Sequence, residues 1–247
     1  MGKILAVASG KGGTGKSTCT VGLGAALNKM GKSVLLVDMD QGLRSLDSML
    51  GLSEHMAFDI SDALEGRVQV SEAILPIEGR GGLFMLGAPR TAGAVKDEEK
   101  LRKLITGLAG VYDYVILDSP AGIGRGFDLA VCAAQAAAVV TGSDFVSIRD
   151  AGIVYRLLCE KGVSECRLII NMVKIRLIRG GFLPNIDRAI DTSGMRLLGL
   201  IPEDDSLLMF SSAGAVPSKG KAVSAFERLA ARIEGQTVPL PKKIKPF

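Results

Sequence analysis

The 247 residues are 47% hydrophobic with a mean hydropathy of +0.31, enough to bury one sizeable core and too apolar for a disordered chain. Four cysteines without a C-x-x-C pair and the single His55 supply neither a disulfide framework nor a zinc site, so a reducing cytoplasm is the expected home. Thirty Lys and Arg against 26 Asp and Glu leave +4, an excess too small to imply a nucleic-acid partner by itself.

Residues 1–8 form a short apolar run that leads directly into a glycine-rich loop, without the h-region or cleavage site of a signal peptide. Within it, residues 4–8 are the first of seven unbroken apolar runs; the others are 34–37, 83–86, 114–117, 136–140, 168–170 and 197–201. They are too short for helices and too continuous for strands with one wet face, so they read as strands of a sheet covered on both sides. Between them, residues 17–30, 96–109, 144–160 and 219–233 carry apolar side chains at three- and four-residue spacing, the pattern of helices. The alternation predicts an α/β fold with right-handed crossovers, a mostly parallel twisted sheet of seven or eight strands and helices on both faces. The longest stretch free of Asp, Glu, Lys and Arg, residues 129–143, is 15 residues, short of the ~20 that a membrane-spanning helix needs. With no repeat or composition break, one domain is expected over 1–235. The tail 236–247, with Pro239, Pro241 and Pro246, reads as irregular.

Gly10-Lys11-Gly12-Gly13-Thr14-Gly15-Lys16-Ser17 fits G-x-x-x-x-G-K-[ST] between the first strand and the first helix, the context that this phosphate-binding loop requires. Glycines let the backbone turn its N–H groups toward phosphate oxygens, and the helix N-terminus adds positive potential. Lys16 would reach the β/γ phosphates and Ser17 would offer its hydroxyl to Mg²⁺. Gly10, Gly12 and Gly15 also satisfy the dinucleotide pattern G-x-G-x-x-G, with Asp38 as the ribose acid, but Lys16-Ser17 serves a triphosphate and its metal rather than a dinucleotide.

Two acids, Asp38 and Asp40, follow the second strand at the edge where open α/β sheets bind ligands; either could instead cap a helix opening near Gly42. The apolar run Tyr114-Val115-Ile116-Leu117 ends in Asp118, the pattern that supports Mg²⁺ through its water shell, and Gly122 leaves the next loop free to turn.

The run Lys11-Gly12-Gly13-Thr14-Gly15-Lys16-Ser17-Thr18, with its extra early lysine, resembles the deviant Walker A motif of the MinD/ParA family of P-loop ATPases. The resemblance extends through Val37-Asp38-Met39-Asp40-Gln41-Gly42-Leu43-Arg44, which is similar to that family's switch I, and Asp118-Ser119-Pro120-Ala121-Gly122, similar to switch II of its MinD branch. It implies an ATP hydrolase that dimerises around Mg²⁺-ATP. In that reading the catalytic groups are Lys11, which reaches the partner's phosphates, Lys16, and Asp40, which orients the attacking water. Ser17, Asp38 and Asp118 serve the metal. The nucleotide is held by the loop from Gly10 to Thr18, by Asn171 on the base edge and by Pro202, Glu203 and Asp204 around it. Met172 stands where the family commonly has an arginine.

The resemblance further implies that Ser147-Ile148-Arg149-Asp150 faces a regulatory protein and that the chain acts in placing the division septum, in the cytoplasm and peripherally at the inner face of the cell membrane. MinD-type proteins end in an amphipathic helix, which a 12-residue tail with three prolines cannot form; Lys242, Lys243 and Lys245, with Ile244 and Phe247 interleaved, still offer a weak, salt-sensitive membrane contact. The iron–sulfur branch is disfavoured, since neither the switch II loop nor residues 87–93 hold a cysteine. A ParA-like positioner of cargo on nonspecific DNA is the alternative, with Lys174, Arg176 and Arg179 as its basic patch, although no specific nucleic acid is expected. A ligase or amidotransferase on the same scaffold is the third reading.

Overall fold

The computed structural model describes residues 1–240; Lys242, Lys243, Ile244, Lys245 and Phe247 of the basic tail lie outside the described residues. In chain order the elements are β1 (Lys3–Ala8), α1 (Lys16–Lys29), β2 (Val34–Asp38), α2 (Ser45–Met49), α3 (Ile60–Leu64), α4 (Val70–Ala73), β3 (Ile74–Pro76), β4 (Leu83–Leu86) and α5 (Glu98–Leu108). There follow β5 (Tyr114–Asp118), α6 (Arg125–Val131), β6 (Ala136–Thr141), α7 (Phe145–Glu160), β7 (Glu165–Val173), α8 (Ile175–Arg179), α9 (Ile186–Ser193), β8 (Arg196–Pro202), α10 (Asp205–Ser212) and α11 (Lys221–Ile233).

Among the described residues all eight strands belong to one sheet in the order β3-β4-β2-β5-β1-β6-β7-β8, and every neighbouring pair except β3-β4 is parallel. The seven apolar runs are the seven parallel strands. The eighth, β3, has only three residues and ends in Pro76, a combination suited to an edge, where a missing N–H costs no ladder bond. The four long helical patterns become α1, α5, α7 and α11; the seven other helices, of four to eight residues, are too short for a 3.6-residue period to register in the sequence.

Alternate residues of each strand feed opposite faces of the sheet. Leu5 and Val7 of β1 join Leu36, Ile116, Phe226 and Leu229 under α1 and α11, whereas Ala6 and Ala8 join Val139, Ile148 and Val154 under α7. Ile4, Leu35, Val37, Leu101 and Ile105 make a third cluster under α5. Because α1 packs both on the sheet and against α11, which itself rests on β8, it is buried almost all round, and its small residues permit this. A Cβ on Gly22 would stand 2.3 Å from the Phe226 ring, and one on Gly24 would stand 2.6 Å from Leu36. After α11, Gln236 N–H donates to the Ala231 carbonyl, and Arg232 donates to the carbonyls of Val238 and Leu198, so residues 236–238 are tied to the body.

No helix among the described residues is long and apolar enough to cross a membrane. All four cysteines are free. Replacing Gly22 with Ala should lower unfolding stability by about 1–3 kcal/mol, the usual cost of an overpacked core, in a urea titration with an unchanged m-value. Unaltered stability would mean that α1 and α11 part more easily than this contact implies.

Candidate functional site

Strand order reverses around β1, whose neighbours are β5 and β6, and the loop leaving β1 therefore lies at the crevice where such sheets bind ligands. Gly13 and Gly15 adopt left-handed backbone angles, φ 76° and 85°, that an L side chain would resist. The loop is braced from inside and outside. Ser9 Oγ donates to the Lys11 carbonyl at 2.8 Å, and Asn171 Nδ2 donates to the Thr14 carbonyl at 2.8 Å. A Cβ on Gly15 would fall 2.3 Å from that amide nitrogen, and one on Gly10 would fall 2.9 Å from Asp150 Cβ. α1 begins without a side-chain cap, which leaves the N–H groups of its first turn for an anion.

Lys16 is 8% exposed. Burial pushes its ammonium below the ordinary lysine range, and the charges of Asp118 and Asp40 oppose that shift. Asp38 and Asp118 face each other in register at the carboxyl ends of β2 and β5, and both are buried. Burial raises Asp118 to about 7, with the Asp38 charge adding to the rise and hydrogen bonds from the Ser17 and Thr20 hydroxyls opposing it; Thr20 Oγ1 lies 3.0 Å from Asp118 Oδ1. Burial likewise raises Asp38 to about 6 against two backbone donors, Asp40 N–H at 2.8 Å and Leu46 N–H at 3.0 Å. Asp38 stands beside Asp118 and also holds the loop that opens α2. Asp40 is less buried, raised by burial and pulled back by Lys16.

An ammonium, an uncapped helix end and a glycine loop fit an anion, while two apposed buried carboxylates with a serine hydroxyl fit a hard cation. No group of three or more His, Cys, Asp and Glu among the described residues forms a self-sufficient metal cage. Mg²⁺ suits such a site, because it needs only one or two carboxylates when phosphate oxygens and water complete its shell. A cavity of about 190 Å³, lined by Lys3, Tyr114, Ala136 and Leu198, lies away from these groups at the other end of β1.

The remaining sequence-predicted residues take mixed positions. Lys11 is exposed, and its charge, after hydrogen bonds from Ser147, helps to hold Asp144 below the usual carboxylate range against burial. Ser147 and Ile148 are buried; the Ser147 hydroxyl donates to Asp144 at 2.6 Å in the cap of α7, so of this run Arg149 presents the surface, paired to Asp150 at 3.1 Å. Thr18 is half-buried on α1. Pro202 ends β8, Glu203 pairs with Lys174 at 3.1 Å, and Asp204 caps α10 and accepts from Ala222 N–H, which leaves it a scaffold for this edge. Met172 has a left-handed φ of 53° at a register break in β7, which leaves it exposed while Asn171 and Val173 are buried on either side. Thr20 escaped the sequence reading, although its place three residues after Ser17 puts both hydroxyls on one face of α1.

Residues 5–215 match the CobQ/CobB/MinD/ParA nucleotide binding domain. The septum site-determining protein MinD of Bacillus subtilis is 35% identical over 246 residues, covering 97% of this chain and 92% of that one. The MinC:MinD cell division protein complex of Aquifex aeolicus superposes with a TM-score of 0.90 at 36% identity, over 97% of this chain and 99% of that one. The septum site-determining protein MinD of Pyrococcus horikoshii, solved with Mg-ADP, follows at 0.85 and 29%, over 95% and 96% of the two chains.

Since Asp38 and Asp118 titrate above the ordinary aspartate range, the nucleotide-free fold binds more protons than the unfolded chain between about pH 4 and 7, and its stability falls as pH rises through that window. Asp118→Asn should therefore raise the melting temperature of the nucleotide-free protein by about 5 °C at pH 8, corresponding to about 1–2 kcal/mol, with the gain vanishing near pH 4. A lower melting temperature at pH 8 would show that the Ser17 and Thr20 hydrogen bonds outweigh the burial of charge.

Proposed function

The chain belongs to the CobQ/CobB/MinD/ParA nucleotide-binding family, and from that premise we propose that it is a Mg²⁺-ATP-dependent, dimerising ATPase switch of the MinD type that regulates where the division septum forms. The observation that carries this reading is the buried Lys16 ammonium, set at an uncapped helix end within reach of the charges of Asp118 and Asp40. The near-full-length similarity to MinD proteins supplies the cellular role.

Lys16 and the backbone of residues 10–15 would hold the β and γ phosphates, with Thr18 behind them on α1. Ser17, Asp38 and Asp118 would hold Mg²⁺, which supplies positive charge to the transferred phosphoryl group when bound. Asp40 orients a water for in-line attack. Its partial exposure and its separation from the fully buried pair suit a group that must meet solvent. Lys11, exposed on the rim of the loop, reaches the phosphates bound to a second copy of the chain and acts there as an arginine finger does.

Asn171 and Pro202 stand at the ends of neighbouring strands β7 and β8, where a base extending from the loop would lie. The thioether of Met172 offers a softer, uncharged contact than the arginine it replaces. The regulator would dock at the start of α7, where Phe145, Val146 and Arg149 are exposed. The basic tail would add a reversible contact with the inner face of the membrane, strengthened when two tails act together. The DNA-positioning alternative is weakened by the ion pair between Lys174 of its basic patch and Glu203.

Sedimentation with ATP tests the central step. Asp40→Ala should slow turnover on the order of 10²-fold and accumulate a dimer. A variant that stays monomeric at saturating ATP would sink the mechanism. In parallel, pelleting with anionic liposomes at low salt should depend on ATP, while ATP-dependent retention of plasmid DNA on a filter would favour the positioner instead.

A further inference from the structure

We propose that Arg44 is a positioning residue for Asp40, a buried guanidinium that fixes where the Asp40 carboxylate stands. The inference rests on the hydrolytic reading of Asp40 and deepens it.

The backbone argues first. Arg44 has φ 52° and ψ 68°, and among the described residues only it and Met172 place a side-chain-bearing residue in the left-handed region. Its N–H donates to the Asp40 carbonyl at 3.1 Å and closes the turn of residues 40–44. Within that turn Gly42, at φ 96°, donates to the Pro89 carbonyl at 2.9 Å, and two residues past Arg44 the Leu46 N–H reaches Asp38. A glycine at position 44 would take this conformation without strain, so the reason for an arginine lies in its side chain.

That side chain is buried beneath the loop. One terminal nitrogen lies 2.6 Å from Asp47 Oδ2 and 2.9 Å from Met56 Sδ. Its Nε–H is the only buried side-chain nitrogen or oxygen among the described residues without a hydrogen-bond partner. Asp47 is equally committed: its Oδ1 accepts from Ser48 N–H at 2.8 Å and its carbonyl accepts from Leu52 N–H. Room for the pair comes from Gly87, just past β4, where a Cβ would fall 1.8 Å from Met56 Cε and 3.9 Å from the guanidinium.

A buried ion pair with a strained backbone and an orphaned donor is a poor way to gain stability, since an apolar pair of like volume usually serves as well. It is an effective way to fix a register. The pair ties the turn that carries Asp40 to the first turn of α2, and the guanidinium also reaches the Met56 sulfur. It also compensates the Asp47 carboxylate, whose charge adds to the repulsion felt by Asp38. Lysine keeps the charge but ends one bond short of the terminal nitrogen that meets both Asp47 Oδ2 and Met56 Sδ.

The test is a double-mutant cycle on ATP turnover with Arg44→Lys, Asp40→Asn and the combination. Arg44→Lys should lower kcat by roughly 10- to 100-fold, as a misplacement of about 1 Å does, while KM for ATP and the affinity for a fluorescent ADP stay within about twofold. In the Asp40→Asn background the same change should add less than about twofold. Losses that multiply would overturn the positioning role alone; full turnover by Asp40→Asn would overturn both the hydrolytic reading and the role of Arg44. If Arg44→Lys does not fold, the pair is removed together as Arg44→Met with Asp47→Leu, which leaves no lone buried charge. That protein should melt near the wild-type temperature yet show the same loss of kcat, and an unchanged kcat in it would likewise refute the proposal.

Discussion

Two buried carboxylates stand side by side at the ends of adjacent parallel strands, and the rest of the site is arranged around them. Parallel pairing makes the juxtaposition inevitable once each strand ends in an aspartate, because in-register strands bring their last residues together, Asp38 beside Asp118. Burial in a sheet covered on both faces then raises both groups, to about 6 and about 7. Such a pair is unfavourable by itself. Hydroxyls of Ser17 and Thr20 and the N–H groups of Asp40 and Leu46 offset part of the cost, and Lys16 supplies the nearby positive charge. A divalent cation held with phosphate would complete the compensation, so an affinity for metal and nucleotide and the raised carboxylates are two aspects of one electrostatic arrangement.

The same arrangement explains why the loops, rather than the helices, carry the built-in strain. Asp38 reaches across to Leu46, Asn171 reaches across to Thr14, and each tether is followed or preceded by a residue in the left-handed region, Arg44 in one case and Met172 in the other. Both are non-glycine residues adopting a conformation that glycine adopts freely, at the two margins of the phosphate loop. Strain of this kind persists where surrounding contacts over-determine the backbone, and here those contacts are hydrogen bonds to the loop or to the carboxylates.

Much of this was legible in the sequence, for definite reasons. Fully buried parallel strands announce themselves as apolar runs, and the glycine loop with Lys16 and Ser17 has a spacing that only one kind of junction requires. What stayed hidden depends on contacts between distant segments. β3 has three residues and a terminal proline, too little pattern to detect. Ser147 reads as a surface polar residue but is buried by its hydrogen bond to Asp144. Asp204 reads as a loop acid near a base, yet both its oxygens are taken by backbone donors on two helices. Arg44 carries no sign of burial in the sequence, and only the space left at Gly87 and the carboxylate of Asp47 make it a buried residue.

The positions of the loop and the tail set a limit on how one can influence the other. α1 starts at the phosphate loop, and its Gly22 admits the Phe226 ring of α11, the helix that leads to the tail. Beyond α11, Arg232 fixes residues 236–238 through three hydrogen bonds to carbonyls, one on β8 and two on Val238. Every link in that path is a close contact in a packed core, and such a path couples two sites only where some element of it has two discrete arrangements. The strained turns at Arg44 and Met172 lie off that path. In the proposed switch, ATP therefore alters the tail's behaviour by bringing two chains together, doubling the basic ends presented to one surface, rather than by reshaping the body between them.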